Sequence, residues 1–304
     1  MTQSTDIDPQ DASTPDRYAP RTGPLGLSRR TRARLTDLAI DAFLFAFGLL
    51  MILPLVFLVS NAFKTPQEMV AWPPRIIPED PTLENFRSVL GDTPLLLWIW
   101  NSFSFAVLSM IAIVATSAIA GYVLAKFPFR SLHLLFLVIL ATAIVPFEVY
   151  MIPLYFQAQA LGILNSIWGL LLGYLVMSFG IFLIRQNVMH AIPDELLEAA
   201  RIDGAGEMWI FVFIVLPLLR GALGALAVLA FFQAWTSFAW PIIVATTRDA
   251  YTIEVGLALF QTGFTVDLGR LSAASAAVLV PSVTLFVILR RNFVQGVAST
   301  GMKE

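Results

Sequence analysis

Residues 192–217 read IPDELLEAARIDGAGEMWIFVFIVLP, the one long charged, helix-prone passage lying between two apolar runs of membrane length. Pro193 suits the first position of a helix, where a missing N–H costs nothing. Asp194, Glu195 and Glu198 then put negative charge near the positive end of the helix dipole. Leu196, Leu197 and Ala200 share an apolar side, Ala199 and Ala200 propagate the helix, and Glu198 stands three residues before Arg201, in reach of an ion pair. Gly204 supplies the stop, because glycine enters the left-handed conformation without a steric penalty. The spacing therefore predicts a short amphipathic helix with a closed end. Beyond it, residues 209–216 are apolar and aromatic enough to lie at a membrane interface, and Pro217 marks a break before the next run.

Outward from this passage the chain is dominated by apolar runs. Of its 304 residues 58% are hydrophobic and 13% charged, and its mean hydropathy is +0.78. Soluble domains carry about 25% charged residues, so the composition is that of a polytopic membrane protein. Six runs reach the length a membrane helix needs, at 38–60, 98–125, 132–156, 164–184, 218–240 and 271–289. The expected fold is all-α, with six transmembrane helices and the charged passage between the fourth and fifth. Residues 1–34 are polar and rich in Pro, Ser, Thr, Asp and Arg, which predicts a disordered tail rather than a cleaved leader. Residues 35–293 make the membrane domain, with the loop 186–217 inside it, and 294–304 a second tail.

Basic residues set the expected orientation. Arg29, Arg30, Arg32 and Arg34 precede the first run, and Lys126 with Arg130, Arg185 with Arg201, and Arg290 with Arg291 mark alternate loops. By the positive-inside tendency these ends, both termini included, face the cytoplasm. The other side receives the 61–97 loop, the uncharged 157–163 link and the 241–270 segment, which holds YTIEVGLALFQTGF at 251–264.

Several functions are excluded early. A net charge of −2 gives no basic footprint for nucleic acid. Zero cysteines remove disulfides, thiol catalysis and thiolate metal sites, and two histidines, His133 and His190, leave no histidine-based zinc motif. A phosphate-cradling Walker loop needs Gly-Lys-Ser/Thr, whereas Lys64, Lys126 and Lys303 all lack a preceding glycine. Neither catalytic residues nor a metal site are expected, and energy from ATP must come from another chain.

Glu198-Ala199-Ala200, Asp203-Gly204-Ala205 and the distal Pro217 reproduce, in spacing and position, the loop that defines permease subunits of binding-protein-dependent ABC importers. The chain resembles that family, and Trp100-Asn101-Ser102, the stretch from Pro146 to Tyr155 and Phe293-Val294-Gln295-Gly296 resemble its carbohydrate-uptake branch, the smaller maltose-type permease included. Trp235-Thr236-Ser237-Phe238 departs from the Trp-Asn pattern of many relatives. The resemblance implies a multi-pass protein of the bacterial inner membrane that docks ATPase subunits through Glu195, Glu198, Ala199, Ala200, Asp203, Gly204 and Ala205. It implies two such ATPases carrying ATP and Mg, a second permease expected to be a different chain, an extracytoplasmic solute-binding protein, and alternating access for a sugar or polyol. A glycerol-phosphate-type cargo is the alternative within the family.

Glu148 stands well inside an apolar run between Pro146 and Pro153, where prolines free carbonyls and break helices. It reads as a cargo contact or proton relay, or as a group reaching interfacial water. Gln233, Trp235 and Thr236 join it as a substrate pathway, with interhelical hydrogen bonding as their other explanation. Two rival functions follow: an ion-coupled secondary transporter that uses Glu148, and a scaffold that only recruits a soluble protein. Gly169 and Gly173 are spaced for close helix packing.

Overall fold

The computed structural model describes the backbone of residues 29–261 and 266–301, and side chains over 36–261, 266–284 and 287. The first 28 residues, the side chains of the arginine cluster, of 290–296 and of 300–304, and positions 262–265 of the 251–264 stretch lie outside the described residues. Thirteen helices carry the argument: α1 Arg29–Ala62, α2 Glu84–Asp92, α3 Leu95–Lys126, α4 Arg130–Thr142, α5 Phe147–Ala160, α6 Ile167–Leu172, α7 Ser178–Ala191, α8 Asp194–Ile202, α9 Glu207–Leu218, α10 Arg220–Trp235, α11 Ala239–Val244, α12 Ile253–Ala258 and α13 Leu268–Gly301. Regular structure among the described residues is otherwise limited to two short helical turns and one isolated β-bridge, Gln261 to Val266.

Two compact units divide the chain at Phe57/Leu58. The first contains α1 as far as Phe57, and that helix starts inside the stretch expected to be a tail. In the second, α3 is the central strut. Trp98, Ser102, Phe105, Ser109, Ile113, Ser117 and Gly121 recur every three or four residues and are all buried, so one stripe of α3 faces the interior. Small residues in that stripe let backbones approach, which matters where lipid supplies no hydrophobic drive between helices. A Cβ on Gly180 of α7 would stand 2.6 Å from Ser117 Oγ, and one on Gly121 would stand 2.9 Å from the Arg185 backbone nitrogen.

At the Leu95 end, polar side chains on α3 hold the chain that leads into α12. Trp98 Nε1 donates to Arg248 O at 2.7 Å, Asn101 Nδ2 to Asp249 O at 2.8 Å and Tyr251 O at 3.0 Å, and Ser102 Oγ accepts from the Ile253 amide at 2.8 Å. Residues 251–258 are thus packed on α3, with Gly256 pressed against the Trp98 ring. The 61–97 loop is ordered by Lys64, buried, whose ammonium donates to Asn61 Oδ1 at 2.8 Å and Arg75 O at 2.5 Å. Asn85 of α2 ties in the same turn through Ala62 O and Lys64 O.

The six apolar runs do not all form single straight helices. Among the described residues two helices are long and apolar enough to cross a membrane alone, Thr36–Ala62 and Leu95–Lys126, and two bent pairs would each make one more. The third run bends by 101° between α4 and α5, and the chain bends by 78° between α9 and α10, where the fifth run starts. Pro146 caps α5 from outside, so the chain turns there, while Pro153 sits within α5 without ending it. The fourth run breaks between α6 and α7. Trp240 packs into this break: its indole lies 3.1 Å from where a Gly173 Cβ would be, and its Nε1 donates to Gly169 O at 3.1 Å and Leu170 O at 2.9 Å. Gly169 and Gly173 therefore serve close packing, but against a tryptophan and the 163 carbonyl. The last helix continues past residue 293 to Gly301.

Candidate functional site

The charged passage at 192–217 folds as its composition dictates, with local differences. α8 covers Asp194–Ile202, and Pro193 stands outside as its cap, at φ −63° and ψ 144°, rather than as its first residue. Gly204 has φ +85°, the left-handed turn that returns the Ala205 amide to Ala200 O at 3.0 Å. Leu197 is buried against the end of α3, whereas Leu196 is 41% exposed. Leu196 belongs instead, with Ala199, Ala200, Asp203, Gly204, Ala205 and Trp209, to the wall of an open recess of about 590 Å³. Glu195 and Glu198 are exposed beside it. This face of α8 carries small side chains and opens onto the recess.

Arg201 pairs differently from the expected i, i+3 contact with Glu198. Its Nε donates to Glu207 Oε1 at 2.7 Å and its Nη2 to Oε2 at 3.4 Å, because the Gly204 turn brings α9 back alongside. Tyr122 of α3 donates its hydroxyl to Glu207 Oε2 at 3.0 Å. The Arg201 hydrogen bond is the main cause holding the Glu207 carboxyl below the usual carboxylate range, and Glu207 in turn raises Arg201. At the other end of α8, Lys126 Nζ donates to Ile192 O at 2.6 Å and to Asp194 Oδ1 at 2.5 Å. Tyr122, Lys126 and Glu207 were not singled out as holders of this helix by sequence; the one available signal is that Tyr122 and Lys126 lie one turn apart at the end of an apolar run.

Of the expected pathway residues, the fold brings two together. Glu148, in the first turn of α5, and Gln233 of α10 both line a cavity of about 380 Å³ with Tyr150, Tyr174, Ser178 and Ser237. Tyr174 donates its hydroxyl to Ser237 Oγ at 2.7 Å, and Phe147 stacks edge-on to Tyr150 and to Trp240 at its wall. The chemistry is hydroxyls, one amide and one carboxylate among aromatic faces, a surface suited to a polyhydroxyl guest. Trp235 and Thr236 do not belong to it. Trp235 is buried and donates to Ser282 Oγ at 3.2 Å, joining α10 to α13, and Thr236 Oγ1 donates to Phe232 O of its own helix. Among the described residues no group of His, Asp or Glu is arranged to hold a metal.

Residues 117–299, more than half the chain, match the family model of the binding-protein-dependent transport system inner membrane component. The chain belongs to that family. Relatives of this permease include the arabinooligosaccharides transport system permease protein of Halalkalibacterium halodurans, 31% identical over 91% of this chain and 100% of the relative. The diacetylchitobiose uptake system permease protein of Streptomyces coelicolor is 28% identical over 84% and 86%. The sn-glycerol-3-phosphate transport system permease protein of Yersinia pestis is 34% identical over 69% and 75%. The fold matches a chain of a bacterial ABC transporter involved in the import of the acidic polysaccharide alginate, with a TM-score of 0.72 and 21% identity over 88% and 99%. The permease is thus a membrane-spanning transport subunit of a binding-protein-dependent ABC importer, and not an enzyme.

Proposed function

We propose that this permease spans the bacterial inner membrane six times with both termini in the cytoplasm and carries a sugar or related polyol inward by alternating access. In this reading α1, α3, the α4–α5 pair, the α6–α7 pair, α10 and α13 are the spans. The membrane domain covers residues 35–293 between tails 1–34 and 294–304, with the loop 186–217 facing the cytoplasm. The chain works with two ATPase subunits, a second permease of different sequence and an extracytoplasmic solute-binding protein. ATP and Mg are held by the ATPases and no cofactor by this chain.

The open recess on α8, closed by the left-handed Gly204, carries the reading. Glu195 and Glu198 meet basic groups of an ATPase, Ala199 and Ala200 admit close approach, and Asp203, Gly204 and Ala205 fix the turn. Closure of the ATPases on ATP shifts the spans between two states to the extent that each partner binds them differently. The named cargoes of the relatives support a carbohydrate, and the cavity holds Glu148 but no Lys or Arg. That charge balance favours an uncharged polyol over a glycerol-phosphate-type cargo.

Purification of tagged permease in mild detergent, wild type beside Gly204→Asp, tests the docking. Wild type is expected to bring down an ATPase and a second permease, and the variant to lose the ATPase. A wild-type chain that comes down alone and still transports in liposomes without ATP would sink the importer mechanism. The exposed Glu148 in the cavity is the one observation favouring that ion-coupled rival. Glu148→Gln is then expected to abolish uptake and Glu198→Ala to spare it.

A further inference from the structure

Both ends of α8 are tied to one face of a single helix. Tyr122 and Lys126 are four residues apart on α3, so their side chains stand one above the other. Lys126, its side chain 7% exposed, takes the first turn of α8 through Asp194 and the preceding Ile192 carbonyl. Tyr122, 3% exposed and wedged between Phe127 and Phe211, takes the last turn through Glu207 and Arg201. The helix that leads into α8 is bound to the same strut. Arg185 Nε of α7 donates to Leu124 O at 3.2 Å, and Gly121 admits the α7 backbone so closely that a Cβ would collide with it. Between the two ties Leu197 is buried in the same cluster as Tyr122, Ile184 and Ile210. Two polar ties and an apolar one fix a short element against both rocking and sliding.

We propose that α8 moves with α3 as one body, and that Tyr122, Glu207 and Lys126 are positioning residues that pass ATPase movement to α3. The inference rests on the docking reading of α8 and adds to it the span that receives the motion. Glu207 is the hinge of the arrangement: one carboxylate answers Arg201 from the docking helix and Tyr122 from the strut, so neither contact survives its loss. Breaking the ties leaves the recess on α8 intact, and ATPases stay docked and hydrolyse ATP while less cargo crosses per ATP.

The chain has no cysteine, so labels can be placed at will. Spin labels on Ile119→Cys of α3 and Ile202→Cys of α8, exposed by 55% and 86% and outside the docking residues, report their separation in the assembled transporter. In the wild-type background the distance is expected to stay the same without nucleotide and with ATP trapped in the closed ATPases. A shift with nucleotide there overturns the proposal, whatever the variants do. Tyr122→Phe keeps the ring packing and removes only the hydroxyl; combined with Lys126→Met it is expected to broaden the distance distribution. Cargo moved per ATP should then fall about tenfold, the scale of one hydrogen bond to a charged group. Adding Tyr122→Phe to Glu207→Gln should cost no more than Glu207→Gln alone, which general destabilisation would not reproduce. Unchanged coupling in the Tyr122→Phe/Lys126→Met protein also overturns it. Failure of wild type to retain an ATPase would instead remove the docking reading itself.

Discussion

Gly121→Ala and Gly221→Ala are the same chemical change with opposite expected signs. A glycine in a helix costs about 0.5–1 kcal/mol relative to alanine, so propensity alone favours both substitutions. At Gly221 of α10 nothing lies within 4 Å of the new methyl, and stability should hold or rise. At Gly121 the methyl would stand 2.8 Å from Ile184 Cγ2 and 2.9 Å from the Arg185 backbone nitrogen. A side chain can swing aside, but a backbone nitrogen moves only with its helix, so α3 and α7 must part by several tenths of an ångström. Overpacking of that kind costs about 1–3 kcal/mol, and the backbone contact places it toward the top of that range. After the propensity gain the net loss is about 1–2 kcal/mol, or about 2–8 °C in unfolding midpoint if the scaling of large soluble domains carries over. Thermal unfolding of the detergent-purified protein, followed by tryptophan fluorescence, measures both variants against wild type. Equal shifts for the two, of either sign, would refute the close approach of α3 and α7.

Gly204→Ala meets no neighbour within 4 Å but must hold a methyl residue at φ +85°, a strain of about 1–2 kcal/mol. It should weaken ATPase retention on a pull-down without lowering permease yield, and Gly204→Asn should do so less. Glu148→Gln is expected to leave assembly intact and to reduce cargo uptake in proteoliposomes, because an acceptor in the cavity becomes half donor. Acidification tests Glu207. Its folded-state pKa is depressed, so its contribution is full above the unfolded value of about 4.3 and is lost only as pH falls through the lower folded value. Cargo moved per ATP should therefore be insensitive to that carboxylate from neutral pH through about 4.3, and earlier loss in wild type but not in Glu207→Gln would contradict the pairing.

Some of this was legible in the chain because it is decided locally. The closing of α8 at Gly204 follows from one residue's freedom to adopt positive φ. The breaks near Pro146 and Pro217 follow from a missing N–H and a fixed φ. Glu148 was marked by its charge within an apolar run, and the fold gave it a cavity. The partner of Arg201 was not legible. Glu198 is nearer in sequence, but Glu207 is nearer once the chain has turned, and Tyr122, 85 residues away, completes the site. The hydrogen bonds of Trp235 and Thr236 were not legible either: neighbours of Gln233 in sequence, they donate to Ser282 and Phe232 and stand outside the lining of the cavity that Gln233 enters.

The sequence by itself determined that the protein is helical and lives in lipid, since a membrane forces every stretch of 20 apolar residues to satisfy its own backbone. It also determined the helix and turn of residues 194–204, whose charge, alanines and glycine act within a few residues of one another. Only the tertiary structure decided where the runs bend, which polar groups share the cavity and what holds α8 to α3. Those outcomes depend on contacts between residues distant in the chain, such as Trp240 against Gly173 and Tyr122 against Glu207. Hydrophobic periodicity says which way a helix faces, but not which neighbour fills the space there.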